Sequence, residues 1–265
     1  ISPEQAFDYE SGDLNAELTE FQPEGPLESQ LLDDSYTLYY LQYQSEGDTA
    51  KALYAVPAEG EGPFPAVLLI HGHHSSKAYM IGRYAAELAS RGIASLAIDL
   101  PLQGERKVEG EDYFPGDIRK TAETLKRSVI DARRALDWLE TREEIDSGKM
   151  GVIGYSLGSW IATMAASADA RLRAVALNVM GKGEPTAVVG SWEIMTEEHP
   201  VLSHRLEELG IDLSLHKFRG RLIEEWIASV SPRPILMLNG ERDRIVSPDN
   251  ARALFQAANE PKQII

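Results

Sequence analysis

No cysteine occurs among the 265 residues, which excludes a disulfide framework, a thiol nucleophile and a thiolate metal site. Long apolar runs are missing too, and nothing approaches the roughly 20 residues that a membrane helix requires. Positive charge is scarce. Lys and Arg number 26 against 42 Asp and Glu, a formal charge of −16, so phosphate attraction to nucleic acid or an anionic membrane is not expected. The remainder is ordinary for a folded enzyme, with 43% hydrophobic and 26% charged residues, unlike a disordered chain. Such a length suits one large α/β domain or two small ones, and its core needs no disulfide or metal staple. The chain opens on Ile1 rather than Met, which fits a removed leader or tag, and no signal sequence is legible. The compartment stays open, with a soluble cytoplasmic protein slightly favoured.

Residues 1–34, rich in Glu, Asp, Pro and Gly, read as an irregular N-terminal arm lying over the surface of a folded domain spanning 35–265. Thr37–Tyr43 and Lys51–Val56 alternate on either side of Ser45-Glu46-Gly47-Asp48, a hairpin pattern. Ala66–Ile70, Ile93–Leu100, Met150–Tyr155, Ala174–Val179 and Pro234–Leu238 are short apolar runs of the kind buried on both faces of a parallel sheet. Helical stretches separate them. One covers Met80–Arg91, with Gly92 as its cap. Another carries Ile118, Ala122, Leu125, Val129, Ala132, Leu136 and Leu139 on one stripe, and a third is the small-residue run Leu157–Ala168. The alternation predicts an α/β fold, with a mostly parallel central sheet and helices on both faces. Residues 183–232 interrupt it as a small helical insertion before the penultimate strand. Its two apolar stripes, Leu202, Leu206 and Leu209, then Leu222, Ile223, Trp226, Ile227 and Val230, fit either two surface helices packing on the sheet or a small cap over the active site.

Gly154-Tyr155-Ser156-Leu157-Gly158 lies between a buried strand and a small-residue helix, the context a nucleophile elbow demands. A sharp turn there leaves no room for side chains beside the serine and lifts its hydroxyl above the strand end. His71-Gly72-His73-His74 follows the AVLLI strand and reads as an oxyanion loop. The N–H groups of His73 and Leu157 are the expected pair of donors. A metal site is the rival for the three histidines, but Ser75 and Ser76 stand where a histidine-rich hydrolase motif needs Asp and His, so no metal is expected. Asp243, in the loop after the Pro234–Leu238 strand, is placed to orient a catalytic histidine, with Glu241 as the competing acid. Ser247 and Pro248 then open a helix.

Together these motifs resemble the α/β-hydrolase superfamily, and within it the dienelactone-hydrolase-like and acyl-esterase group. The resemblance rests on PAVLLIHGHH, IDLPLQGER, ALDWLETREEID leading into KMGVIGYSLGS, and PILMLNGERDRIVSP, and it runs from about Thr37 to the C-terminus. It implies the α/β-hydrolase fold and a serine carboxylesterase without a cofactor, acting on a small-molecule ester. Its catalytic triad would combine Ser156, Asp243 and a histidine after the acid. No histidine follows Asp243 here. All six, His71, His73, His74, His199, His204 and His216, lie upstream, so the chain is expected to be C-terminally truncated with its catalytic histidine just beyond Ile265. A base relocated from His199, His204 or His216 is the alternative. The other readings kept open are a prolyl-oligopeptidase-like peptidase and a non-catalytic binding protein on the same fold.

Overall fold

Side chains alternate across a strand, so a run that is apolar at every position must meet a core on each side. The computed structural model, which describes residues 2–115, 117–181, 217–218, 221–243 and 246–265, places the apolar runs in such a setting. The strands are β1 (Glu17–Glu20), β2 (Tyr36–Ser45), β3 (Asp48–Pro57), β4 (Phe64–Ile70), β5 (Ala94–Ile98), β6 (Ile145–Tyr155), β7 (Leu172–Asn178), β8 (Lys217–Phe218), β9 (Arg221–Leu222), β10 (Ile235–Leu238) and β11 (Lys262–Ile264). A nine-stranded sheet runs in the order β1-β2-β3-β5-β4-β6-β7-β10-β11, while β8 and β9 pair with each other. The strands from β5 to β11 in this sheet are mutually parallel, and β1, β2 and β3 form an antiparallel flank.

The helices are α1 (Pro3–Ala6), α2 (Pro26–Ser29), α3 (Lys77–Ala89), α4 (Ile118–Glu140), α5 (Leu157–Ala168), α6 (Ile223–Ala228) and α7 (Pro248–Ala257). Leu68, Ile70, Leu96, Ile98 and Val152 join one core with the apolar faces of α4, α5 and α6. Their neighbours Leu53, Leu69 and Ala97 turn the other way, onto Met80, Ile81 and Ala85 of α3. Helices therefore cover both faces, as the sequence pattern predicts. On α4 the expected stripe is realised, with Leu125, Val129, Ala132, Leu136 and Leu139 buried. Asp117 caps that helix by accepting the Arg119 N–H at 2.9 Å.

One expectation changes. The N-terminal segment does not simply lie on the surface: β1 extends the sheet beside β2, and the fully buried Phe7 sets its ring 5.3 Å from Trp226. A four-residue strand and a single aromatic anchor carry no periodicity, so composition alone reads as irregular. Within 183–232, Ile223, Trp226, Ile227 and Val230 of the second stripe are buried in the main core, in keeping with the reading of a helix packed on the sheet. The first stripe, Leu202, Leu206 and Leu209, lies outside the described residues, and so does any cap it would form. Among the described residues no helix is long and apolar enough to cross a membrane.

Candidate active site

Ser156 occupies the single position between the end of β6 and the first turn of α5, with φ 50° and ψ −117°. The flanking glycines are required by contact. A Cβ on Gly154 would sit 2.4 Å from the Gly158 carbonyl oxygen, and one on Gly158 would sit 2.1 Å from that of Ile70. The turn is thus pressed against the end of β4. The Ser156 N–H donates to the Asn178 carbonyl at 2.8 Å, and Ser159 secures the same carbonyl through its hydroxyl at 3.0 Å. The Ser156 side chain makes no capping bond and is partly accessible. Leu157 begins α5, where a backbone N–H has no acceptor within the helix and the dipole favours negative charge.

Gly72 brings the β4–α3 loop into contact with this elbow: a Cβ there would lie 3.2 Å from both the Ser156 Cβ and the Tyr155 carbonyl oxygen. His71, fully buried, has its Nε2 accepting the Leu100 N–H at 3.1 Å and its Nδ1 2.7 Å from the Gly72 carbonyl oxygen. These partners define a neutral imidazole with its proton on Nδ1, and burial holds its pKa below the ordinary histidine value. The carbonyl it holds belongs to the peptide whose N–H is that of His73. In a trans peptide the two point in opposite directions, so the His73 N–H is directed away from His71. The His73 ring stacks on His74 with centroids 3.7 Å apart and meets Phe114 edge-on at 4.9 Å. Burial, followed by the neighbouring His74, pushes its pKa down despite Asp112 at 3.7 Å.

The three imidazoles do not converge: His71 is spent on backbone bonds in the core, and His73 lies against His74 and Phe114. No cluster of three or more His, Asp or Glu side chains that could hold a metal occurs among the described residues.

Asp243 follows β10, half-buried, with its Oδ1 accepting the Val246 N–H at 2.9 Å. Register links it to the serine. Tyr155 pairs with Asn178, and Asn178 pairs with Leu238, so β6, β7 and β10 end level and their loops emerge at one edge of the sheet. Glu241, the competing acid, is exposed. His199, His204 and His216 lie outside the described residues. Ser156, Leu157, Gly72 and His73 are therefore brought together, with Asp243 on the same rim.

Sequence reasoning passed over a brace behind the loop. The buried Asp99 accepts the Lys77 N–H at 2.8 Å, the Lys77 ammonium at 2.7 Å and the Glu105 N–H at 3.0 Å. Gln103 accepts the His74 N–H through Oε1 at 2.6 Å. One signal was available: a cation at the first position of a helix, as Lys77 is, opposes the dipole and calls for a carboxylate partner.

Residues 67–263 match the alpha/beta hydrolase family, and the chain belongs to it. A Bacillus subtilis (strain 168) protein described as "Putative hydrolase YtaP" is 27% identical over 211 residues, covering 75% of this chain and 67% of that one. The acetyl xylan esterase from Paenibacillus sp. R4 superposes with a TM-score of 0.75 at 22% identity, over 96% of this chain and 82% of its own. A cold-adapted esterase from an Arctic intertidal metagenomic library gives a TM-score of 0.63 at 26% identity, over 88% and 85%.

Proposed function

We propose that the protein is a serine hydrolase that cleaves carboxylic esters of small molecules through an acyl-enzyme. The observation that carries this reading is Ser156 itself: a non-glycine residue in a positive-φ backbone at the head of α5, against the Gly72 backbone. Such a conformation costs on the order of 1–3 kcal/mol and persists where the surroundings enforce it. The Ser156 hydroxyl attacks the ester carbonyl while a histidine takes its proton. Charge on the carbonyl oxygen is met by the N–H groups of His73 and Leu157, each such donor being worth about 3 kcal/mol of barrier. The tetrahedral adduct expels the alcohol, which receives the proton from the histidine, and water then releases the acid by the same steps in reverse. No cofactor takes part.

Asp243 orients that histidine. Ile265 donates its N–H to the Met237 carbonyl at 2.9 Å and accepts the Asn239 N–H at 3.1 Å. The backbone there runs level with the start of the Asp243 loop. Esters are favoured over peptides because the 26%-identical structural relative is itself named an esterase.

The test is covalent labelling of the full-length protein with a fluorophosphonate, alongside turnover of p-nitrophenyl acetate. Wild-type protein is expected to label at Ser156 and Ser156→Ala to be inert. Asp243→Asn is expected to lose about 10⁴-fold in kcat, the loss typical when a triad histidine is left in the wrong tautomer. Near-normal turnover in that variant would identify a different acid. A folded full-length protein that neither labels nor turns over ester is a binder on this scaffold, and the esterase reading ends there.

A further inference from the structure

We propose that Gln103 is a positioning residue of the oxyanion hole, holding the strained His74 backbone and through it the His73 N–H. The inference rests on the reading of His73 as an oxyanion donor. His74 has φ 55°, the left-handed region that costs an L-residue about 1–2 kcal/mol. Left free, it relaxes toward negative φ, turning the peptide between His73 and His74 and shifting His73 with it. Two bonds oppose this. His71 holds the Gly72 carbonyl on the upstream side, and Gln103 holds the His74 N–H at 2.6 Å on the downstream side. The His73 backbone is thus clamped between two side-chain anchors, in the loop that contacts Ser156.

The anchor is itself held. Gln103 is buried, at 5% exposure, and its own N–H donates to the Leu100 carbonyl at 3.1 Å. Leu100 in turn donates its N–H to His71, so both anchors of His73 tie back to the same stretch after β5. Flipping the Gln103 amide would set its NH2 group against the His74 N–H, so its orientation is determined.

Stability alone does not account for a glutamine here. Its Nε2 is buried without a hydrogen-bond partner among the described residues, a condition that is costly to fold. An apolar side chain of similar length would avoid that cost, whereas His74 is exposed and water can replace the acceptor it loses. A residue whose amide is half unsatisfied, yet whose oxygen fixes the strained neighbour of an oxyanion donor, fits a positioning role better than a packing role.

The experiment compares Gln103→Met, which removes the acceptor at similar volume, with Gln103→Glu, which keeps an oxygen at the same place. Gln103→Met is expected to lose at least ten-fold in kcat and in the rate of Ser156 phosphonylation, with KM within two-fold and no fall in Tm. Gln103→Glu is expected to recover most of that rate, and the His74 amide to exchange faster in Gln103→Met than in either other protein. Wild-type rates in Gln103→Met, a loss that follows Tm or KM instead of kcat, or equal rates in the two variants overturn the proposal. If the wild-type protein fails to label at Ser156, the esterase reading fails first, and hydrogen exchange at His74 still decides whether Gln103 anchors the loop.

Discussion

Ser156 holds a backbone conformation that L-residues rarely adopt, and its side chain returns nothing to the fold, because it makes no capping hydrogen bond. Glycine carries no Cβ penalty there. Ser156→Gly is therefore expected to raise the free energy of unfolding by about 1 kcal/mol while abolishing phosphonate labelling, a separation of stability from activity seen by urea titration. A less stable variant would show that the elbow is not strained. The Gly-x-Ser-x-Gly spacing and its strand–helix context were legible because elbow chemistry is local, and Asp243 was legible as the loop residue before a Ser-Pro helix start. The division of labour among His71, His73 and His74 was not. They are neighbours in sequence, but only packing sends His71 into the core as a neutral acceptor for Leu100, leaves His73 half-buried and exposes His74.

The strands and helices were readable wherever one periodicity dominated, as in α4 and the two-faced strands β4, β5 and β6. Polar contacts between them were not. Arg106, in the loop after β5, is buried and reaches Asp131 on α4 at 2.6 Å, Asp48 at 2.7 Å and the Asp99 carbonyl oxygen at 3.0 Å. Burial alone would lower the pKa of its guanidinium, but the Asp131 and Asp48 carboxylates outweigh it and hold the group well above its ordinary value. Truncating the buried partner leaves much of that charge uncompensated, so Asp131→Ala is expected to destabilise the protein by about 3 kcal/mol in denaturant unfolding. A cost under about 1 kcal/mol would mean that Asp48 and the Asp99 carbonyl suffice. The same reasoning explains the unforeseen β1: a strand of four residues is defined by the free edge of β2, not by its own pattern.

The whole molecule carries a formal charge of −16, and such a field repels anions approaching the sheet edge that bears Ser156. For esters bearing a carboxylate, kcat/KM is expected to rise as salt is raised from about 0.01 to 0.5 M, where the Debye length falls from roughly 30 Å to a few ångström. For a neutral acetate ester it should stay flat. A flat response for both would show that local groups, not net charge, govern encounter. At this level the sequence alone determined the alternation of strands and helices, the buried two-faced strands and the place of the elbow between β6 and α5. Each of these is written in residues only a few positions apart, where side-chain period and turn sterics act. Tertiary structure alone decided that the ends of β6, β7 and β10 are level, that the N-terminal segment enters the sheet, and that residues after β5 brace the loop after β4. Those depend on contacts between segments tens of residues apart, where burial and hydrogen-bond geometry, rather than local propensity, choose the partner.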